Sequence, residues 1–194
     1  MKRLGQQGFS LIELLVVIVI LAILASLGVP SYQQWVRNTR IRNAAESIQN
    51  GLRLARSEAT QRSADVRFEL TSATGADWTV CMLNTGATTC SGTGSVVPIQ
   101  SFVSSGGANG VQLNVANAIG DMSAPLSGSP PNASGVTYNA LGRPDTTSGT
   151  PIARIDASTG QTGDRWLVTT ISSGGMVHSC DPQLSLTVSP QGCQ

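Results

Sequence analysis

GQQGFSLIELLVVIVILAILASLGVPSY, from Gly5 to Tyr32, places one carboxylate, Glu13, near the start of an otherwise apolar run that extends from Leu11 to Val29. As a helix rising about 1.5 Å per residue, this run covers the roughly 30 Å hydrocarbon thickness of a bilayer. It reads as a membrane anchor. An ordinary secretory signal competes with that reading, because Lys2 and Arg3 form a basic start and Ser26-Leu27-Gly28 offers a small-x-small cleavage site. The length of the run opposes it. So does Glu13, since an acid in such a core is unfavourable by about 2.5 to 3.5 kcal/mol, less near an end.

Glu13 has a local explanation as well. Ser10-x-x-Glu13 fits a capping box, with Ser10 accepting from the third helical N–H and Glu13 reaching back to the cap nitrogen. That pattern leaves Lys2, Arg3 and Gly8 unexplained. Removal of residues 1–8, between Gly8 and Phe9, explains them together: it creates a new α-amino group four residues upstream of Glu13. A carboxylate in apolar surroundings is tolerable when paired. Within one helix the new terminus lies about 6 Å along the axis from Glu13, whereas a neighbouring copy can bring its own terminus alongside. A copy docked out of register would leave both charges unpaired in hydrocarbon.

A basic leader ending in glycine, followed by GFSLIELLVVIVILAILASLGVP, resembles the class III signal and N-terminal helix of type IV pilins and pseudopilins. The resemblance implies that a prepilin peptidase cuts after Gly8 and methylates Phe9. It implies that Glu13 pairs with a neighbour's terminus during assembly, and that Pro30 stands where pilins carry a helix-bending proline.

The remaining composition suits an extracytoplasmic, turn-rich β domain, with 12% charged residues and eight aromatics among 194 residues. The net charge of +1 hides an asymmetry: residues 1–67 carry nine Lys/Arg against four acids, and residues 68–194 three against seven. Arg37, Arg40 and Arg42 follow the apolar run and oppose Lys2 and Arg3 in the positive-inside count, so charge leaves the topology open. Cys81, Cys90, Cys180 and Cys193 form two sequence-local couples without a C-x-x-C, and His178 is the single histidine, which gives a metal site little to build on. Of the three connectivities that four cysteines allow, the local one, Cys81 with Cys90 and Cys180 with Cys193, is the most economical. Disulfides imply an oxidising compartment.

Beyond Pro30 the helical pattern continues. Ile41, Ala44, Ala45, Ile48, Leu52, Ala55 and Ala59 recur three or four apart, forming one face fit to pack on a domain. Arginines 37, 40, 42, 53 and 56 read as a solvated face or as contacts between neighbouring subunits. From Val66 the period becomes two, and nine short strands are expected: 66–71, 78–84, 99–103, 111–116, 135–140, 152–157, 166–172, 176–180 and 184–188. Residues 122–135, MSAPLSGSPPNASG, read as a surface loop.

VTYNALGRPDTTSG (136–149) with RWLVTTISSGGMVHSCDP (165–182) resembles the C-terminal part of the GspH/FimT group of minor pilins and pseudopilins. Some members used in DNA uptake carry Gly-Arg-x-Arg before the penultimate cysteine. Here Gly175-Met176-Val177-His178 stands instead, without the cations that drive counterion release. Gly142-Arg143-Pro144 beside Asp145 reads as a turn, so DNA is a disfavoured partner.

No nucleophile elbow or H-E-x-x-H pair occurs, and Asp145, Asp156 and Asp164 read as scattered turn residues; no enzyme, cofactor or metal is expected. The expected fold is α+β, with one long helix packed on a mostly antiparallel, β-sandwich-like head. The expected division is a leader 1–8, a transmembrane or filament-core helix 9–30, an amphipathic helix half 31–64, and a β-rich head 65–194 with a C-terminal disulfide loop. The resemblance implies a single pass through the inner membrane with a periplasmic head, then a place in a pilus at the cell surface. It implies other pilins and prepilin peptidase as partners.

Overall fold

A computed structural model describes residues 9–84, 86–91, 96–128, 134–147 and 149–193. Among the described residues one α-helix, α1 (Leu11–Arg62), precedes eight strands: β1 (Val66–Leu70), β2 (Trp78–Leu83), β3 (Val96–Phe102), β4 (Gln112–Ala116), β5 (Gly135–Tyr138), β6 (Arg154–Ser158), β7 (Leu167–Ile171) and β8 (Val177–Cys180). The chain divides into two compact units, residues 1–36 and 37–194.

In the first unit α1 is apolar on every side from Leu14 to Val29, apart from Ser26. Its most apolar eighteen-residue window has a mean hydropathy of 2.9 and no buried residue, long and apolar enough to cross a membrane. Pro30 lies inside α1, where it removes the N–H that would bond the Ser26 carbonyl.

The second unit is α+β. Its two sheets have the orders β3-β2-β1-β5 and β4-β6-β7-β8, and every strand pairing is antiparallel. All seven apolar positions of the amphipathic pattern, Ile41 through Ala59, are buried. Six of them, all but Ala45, join Phe68, Trp78, Val80, Val136, Ile155 and Ile171 in one core. The helix contributes mostly small residues there, which lets aromatic rings approach its backbone. A Cβ on Gly51 would meet Phe68 Cε2 at 2.8 Å and the Trp78 ring at 3.0 Å. α1 ends where Ser63 adopts a left-handed conformation (φ 50°) and the Ala64 N–H reaches back to the Ala59 carbonyl at 3.2 Å.

Eight of the nine expected strands are present. Residues 184–188 are instead turns, with Ser189 and Val188 N–H groups both on the Ser185 carbonyl. The alternation there belongs to a short loop tied at both ends by a disulfide, which leaves Leu186 and Val188 exposed. β3 starts at Val96 rather than at 99, and carries Pro98 on a sheet edge beside a register shift at Val80/Cys81, where a missing N–H is harmless. In the expected loop 122–135, residues 122–128 and 134 lie outside the strands, Gly135 opens β5, and 129–133 lie outside the described residues.

Candidate assembly interface

The start of α1 is built by Ser10, whose carbonyl accepts from the N–H of Glu13 (3.1 Å) and of Leu14 (3.2 Å). Glu13 stands in the first turn, where a negative charge complements the helix dipole. Among the described residues, the Ser10 and Glu13 side chains make no hydrogen bond or ion pair with each other or with any other group. The reciprocal capping box is therefore not formed. Glu13 is exposed, and around it Phe9 (85%), Leu11 (81%) and Ile12 (68%) expose most of their surface. Such a continuous apolar surface needs a cover, whether lipid or protein. Gly8 lies outside the described residues, so the cleavage junction does too. Pro30 sits one turn after Ser26, whose hydroxyl bonds the Ile23 carbonyl at 2.7 Å.

The four cysteines form the disulfides Cys81–Cys90 and Cys180–Cys193. The first fastens the loop after β2 to the interior of that strand, and the second fastens the C-terminal loop to the end of β8. The second is reinforced by the Asp181 N–H on the Gln191 carbonyl at 2.7 Å.

The arginines of α1 do not form one solvated stripe. Arg37 Nε meets Asp164 Oδ2 at 2.7 Å, Arg40 donates to the Asn109 carbonyl at 3.4 Å, and Arg56 donates to the carbonyls of Gly142 (3.1 Å) and Gly174 (3.4 Å). These three bind the chain's own head, which corrects their reading as a solvated face or intersubunit contact, whereas Arg42 and Arg53 are exposed as expected. Burial alone would raise the Asp164 carboxyl; the hydrogen bonds from Arg37 and Thr159, with the Arg37 charge, outweigh it and hold the group below its ordinary value. The same contact raises Arg37.

Asp156 is not a turn acid but a strand residue, and Asp164, whose N–H closes a turn on the Gln161 carbonyl, is more than one; both are buried and paired. Asp145 does serve a turn, accepting from the Thr147 N–H at 3.2 Å. Two buried ion pairs escaped the reading of the sequence: Arg67–Glu69 on β1 (2.6 Å) and Arg154–Asp156 on β6. Their signal was an Arg-x-acid spacing inside an expected strand, which puts both side chains on the face turned from the core. Each pair pins an overlying loop. Glu69 accepts from the Cys90 N–H at 3.1 Å, and Asp156 from the Leu126 N–H at 2.8 Å.

At the turn between β7 and β8, a Cβ on Gly175 would lie 2.2 Å from the Gly142 carbonyl oxygen, so this glycine lets two turns touch. Met176 and His178 beside it are exposed and carry no arginine. Among the described residues, no three His, Cys, Asp or Glu side chains converge as a metal-binding group.

Residues 44–192 match the family model described as type II transport protein GspH. The chain belongs to that family. Residues 3–29 of this GspH-family chain match the prokaryotic N-terminal methylation motif. It is 44% identical over 43 residues to prepilin peptidase-dependent protein D of Escherichia coli K12, and 39% identical over 44 residues to a fimbrial protein of Pseudomonas aeruginosa. These matches take in 22% and 23% of this chain, and only 30% and 29% of those relatives' lengths. Among solved structures it is similar to the type IV minor pilin FimU of P. aeruginosa PAO1 (16% identity, TM-score 0.48, 79% of this chain and 99% of that one). It is also similar to the minor pseudopilin EpsH from the type 2 secretion system of Vibrio cholerae (15% identity, TM-score 0.47, 75% and 99%). The GspH-family chain thus joins an N-terminal methylation motif to a family domain that takes up most of its remaining length.

Proposed function

We propose that this chain is a minor pilin that enters a type IV pilus, or primes its assembly, by helix association after loss of residues 1–8 and methylation of Phe9. The carrying observation is Glu13: an exposed carboxylate on an apolar helix, with no partner among the described residues of its own chain. In an apolar medium the ionised group requires a cation. The Phe9 amine of an adjoining subunit supplies one of the right charge, in a register that the helix itself defines. The head adds contacts to other pilins, and its two disulfides fit a periplasmic location reached through the inner membrane.

A second reading, a type II secretion pseudopilin, uses the same assembly chemistry and draws support from the description of the matching family. The pilus side is favoured by the likeness of the Cys180–Cys193 loop to the C-terminal disulfide loops of pilins. Capture of DNA is less well supported, because Met176 and His178 occupy the places where arginines would meet phosphates, and nearby Arg56 is held by two carbonyls.

Glu13→Leu should leave membrane insertion intact and abolish incorporation into filaments, and mass spectrometry of the mature wild type should find N-methylated Phe9 first. Normal incorporation of Glu13→Leu, or a mature chain starting elsewhere, removes the basis of the pairing. Loss of surface filaments in a deletion strain, against loss of exported proteins, separates the two readings.

A further inference from the structure

The apolar run of α1 ends at Val29 and Pro30, and two aromatic residues follow at once. Tyr32 and Trp35 are three residues apart, hence on one side of the helix. Their ring centroids are 6.0 Å apart with planes inclined by 31°. Both side chains are exposed, at 65% and 64%, although Trp78 is buried in the head core. Large amphipathic rings displayed this way are costly in water and suit the headgroup layer of a bilayer, where the apolar body and the polar tip are both accommodated.

Helix geometry places them there. From Leu11 to Val29 the backbone rises about 28 Å, close to the ~30 Å hydrocarbon thickness, and each headgroup layer adds roughly 5–7 Å. The Cα atoms of Tyr32 and Trp35 lie about 4.5 and 9 Å beyond Val29. Because Cα–Cβ bonds tilt toward a helix N-terminus, both rings lean back toward the hydrocarbon boundary.

We propose that Tyr32 and Trp35 form a two-ring anchor that docks in the phospholipid headgroup layer and fixes the depth of α1 in the membrane. The proposal rests on the reading of residues 9–30 as the membrane span. Its consequence is positional: Glu13 lies nineteen residues before Tyr32, about 28 Å along the axis. When the rings occupy one interface, the carboxylate is held at the opposite hydrocarbon boundary, where an incoming Phe9 amine can reach it. Without the rings α1 can slide, and Glu13 is carried into the core or into water.

The test uses the full-length chain in phosphatidylcholine vesicles whose lipids carry bromine either near the glycerol or near the chain end. Subtracting the emission of Trp35→Phe from that of the wild type isolates Trp35 without touching Trp78 or Trp166. The expected result is quenching of this component roughly twofold stronger by the shallow bromine than by the deep one. Alkaline extraction of the same vesicles tests the span separately. A chain that resists extraction while its Trp35 component is unquenched, or is quenched best by the deep bromine, overturns the anchor. Extraction of the wild type overturns the span itself, and the anchor with it.

Discussion

Arg154 and Asp156, two residues apart on β6, lie side by side on the face turned from the core, with Nε–Oδ1 at 2.7 Å and Nη2–Oδ2 at 2.6 Å. Both are about 1% exposed. Arg154 also donates to the carbonyls of Asp121 (2.5 Å), Ala124 (3.0 Å) and Ile119 (3.3 Å), so one guanidinium ties residues 119–124 to the sheet. Removing one partner leaves the other charge buried and unpaired. Asp156→Ala is therefore expected to destabilise the head by about 3–5 kcal/mol. The double variant Arg154→Met/Asp156→Ala should lose less than the sum of the singles, measured by urea unfolding in detergent. Strictly additive losses would show that the two groups do not act as a pair.

The amphipathic half of α1 was legible because its period is long and its apolar positions are uninterrupted; all seven are buried. The strand segments were legible for the same reason, through alternation between Gly, Ser and Pro clusters. Residues 184–188 alternate too, yet alternation over so few residues cannot distinguish a strand from a loop closed by Cys180–Cys193. Glu13 stood out because a charge in an apolar run has few explanations. Arg37 and Asp164 did not, since 127 positions separate them and only the folded chain brings them together. Gly51 was silent as well, because a glycine in a helix pattern carries no sign of what packs on it.

Gly51 gives the next prediction. On an isolated helix, glycine to alanine would stabilise by about 1 kcal/mol. Here the new methyl would lie 2.8 Å from Phe68 Cε2 and 3.0 Å from the Trp78 ring, both buried, and overpacking costs about 1–3 kcal/mol. Gly51→Ala is expected to lower the thermal midpoint, with a changed near-ultraviolet signal from Trp78. A raised midpoint would mean that the rings retreat at little cost.

Tyr138 should behave in the opposite way. Its hydroxyl is buried without a hydrogen-bond partner among the described residues, and burial pushes its pKa up, against a smaller lowering by the Arg56 charge. Leaving such a group unsatisfied costs about 1–3 kcal/mol. Tyr138→Phe is expected to keep the stability or raise it by about 1 kcal/mol. A loss of that size in urea unfolding would reveal a partner for the hydroxyl.

Asp164 makes stability depend on acid. Its carboxyl is held below its ordinary value by the hydrogen bonds from Arg37 and Thr159, which outweigh the opposing effect of burial. A group whose folded-state pKa is depressed stabilises the fold above its unfolded value, near 3.9 for aspartate, and that contribution is lost as the pH falls through the folded-state value. The wild type should hold its thermal midpoint from neutral pH down to about 5 and then fall steeply below about 4. Asp164→Asn cannot bear the charge, so it should start lower at neutral pH and fall less steeply. The two curves are expected to converge in acid, as measured by melting at a series of pH values. Parallel curves across the acid range would mean that the Arg37 contact contributes nothing that depends on ionisation.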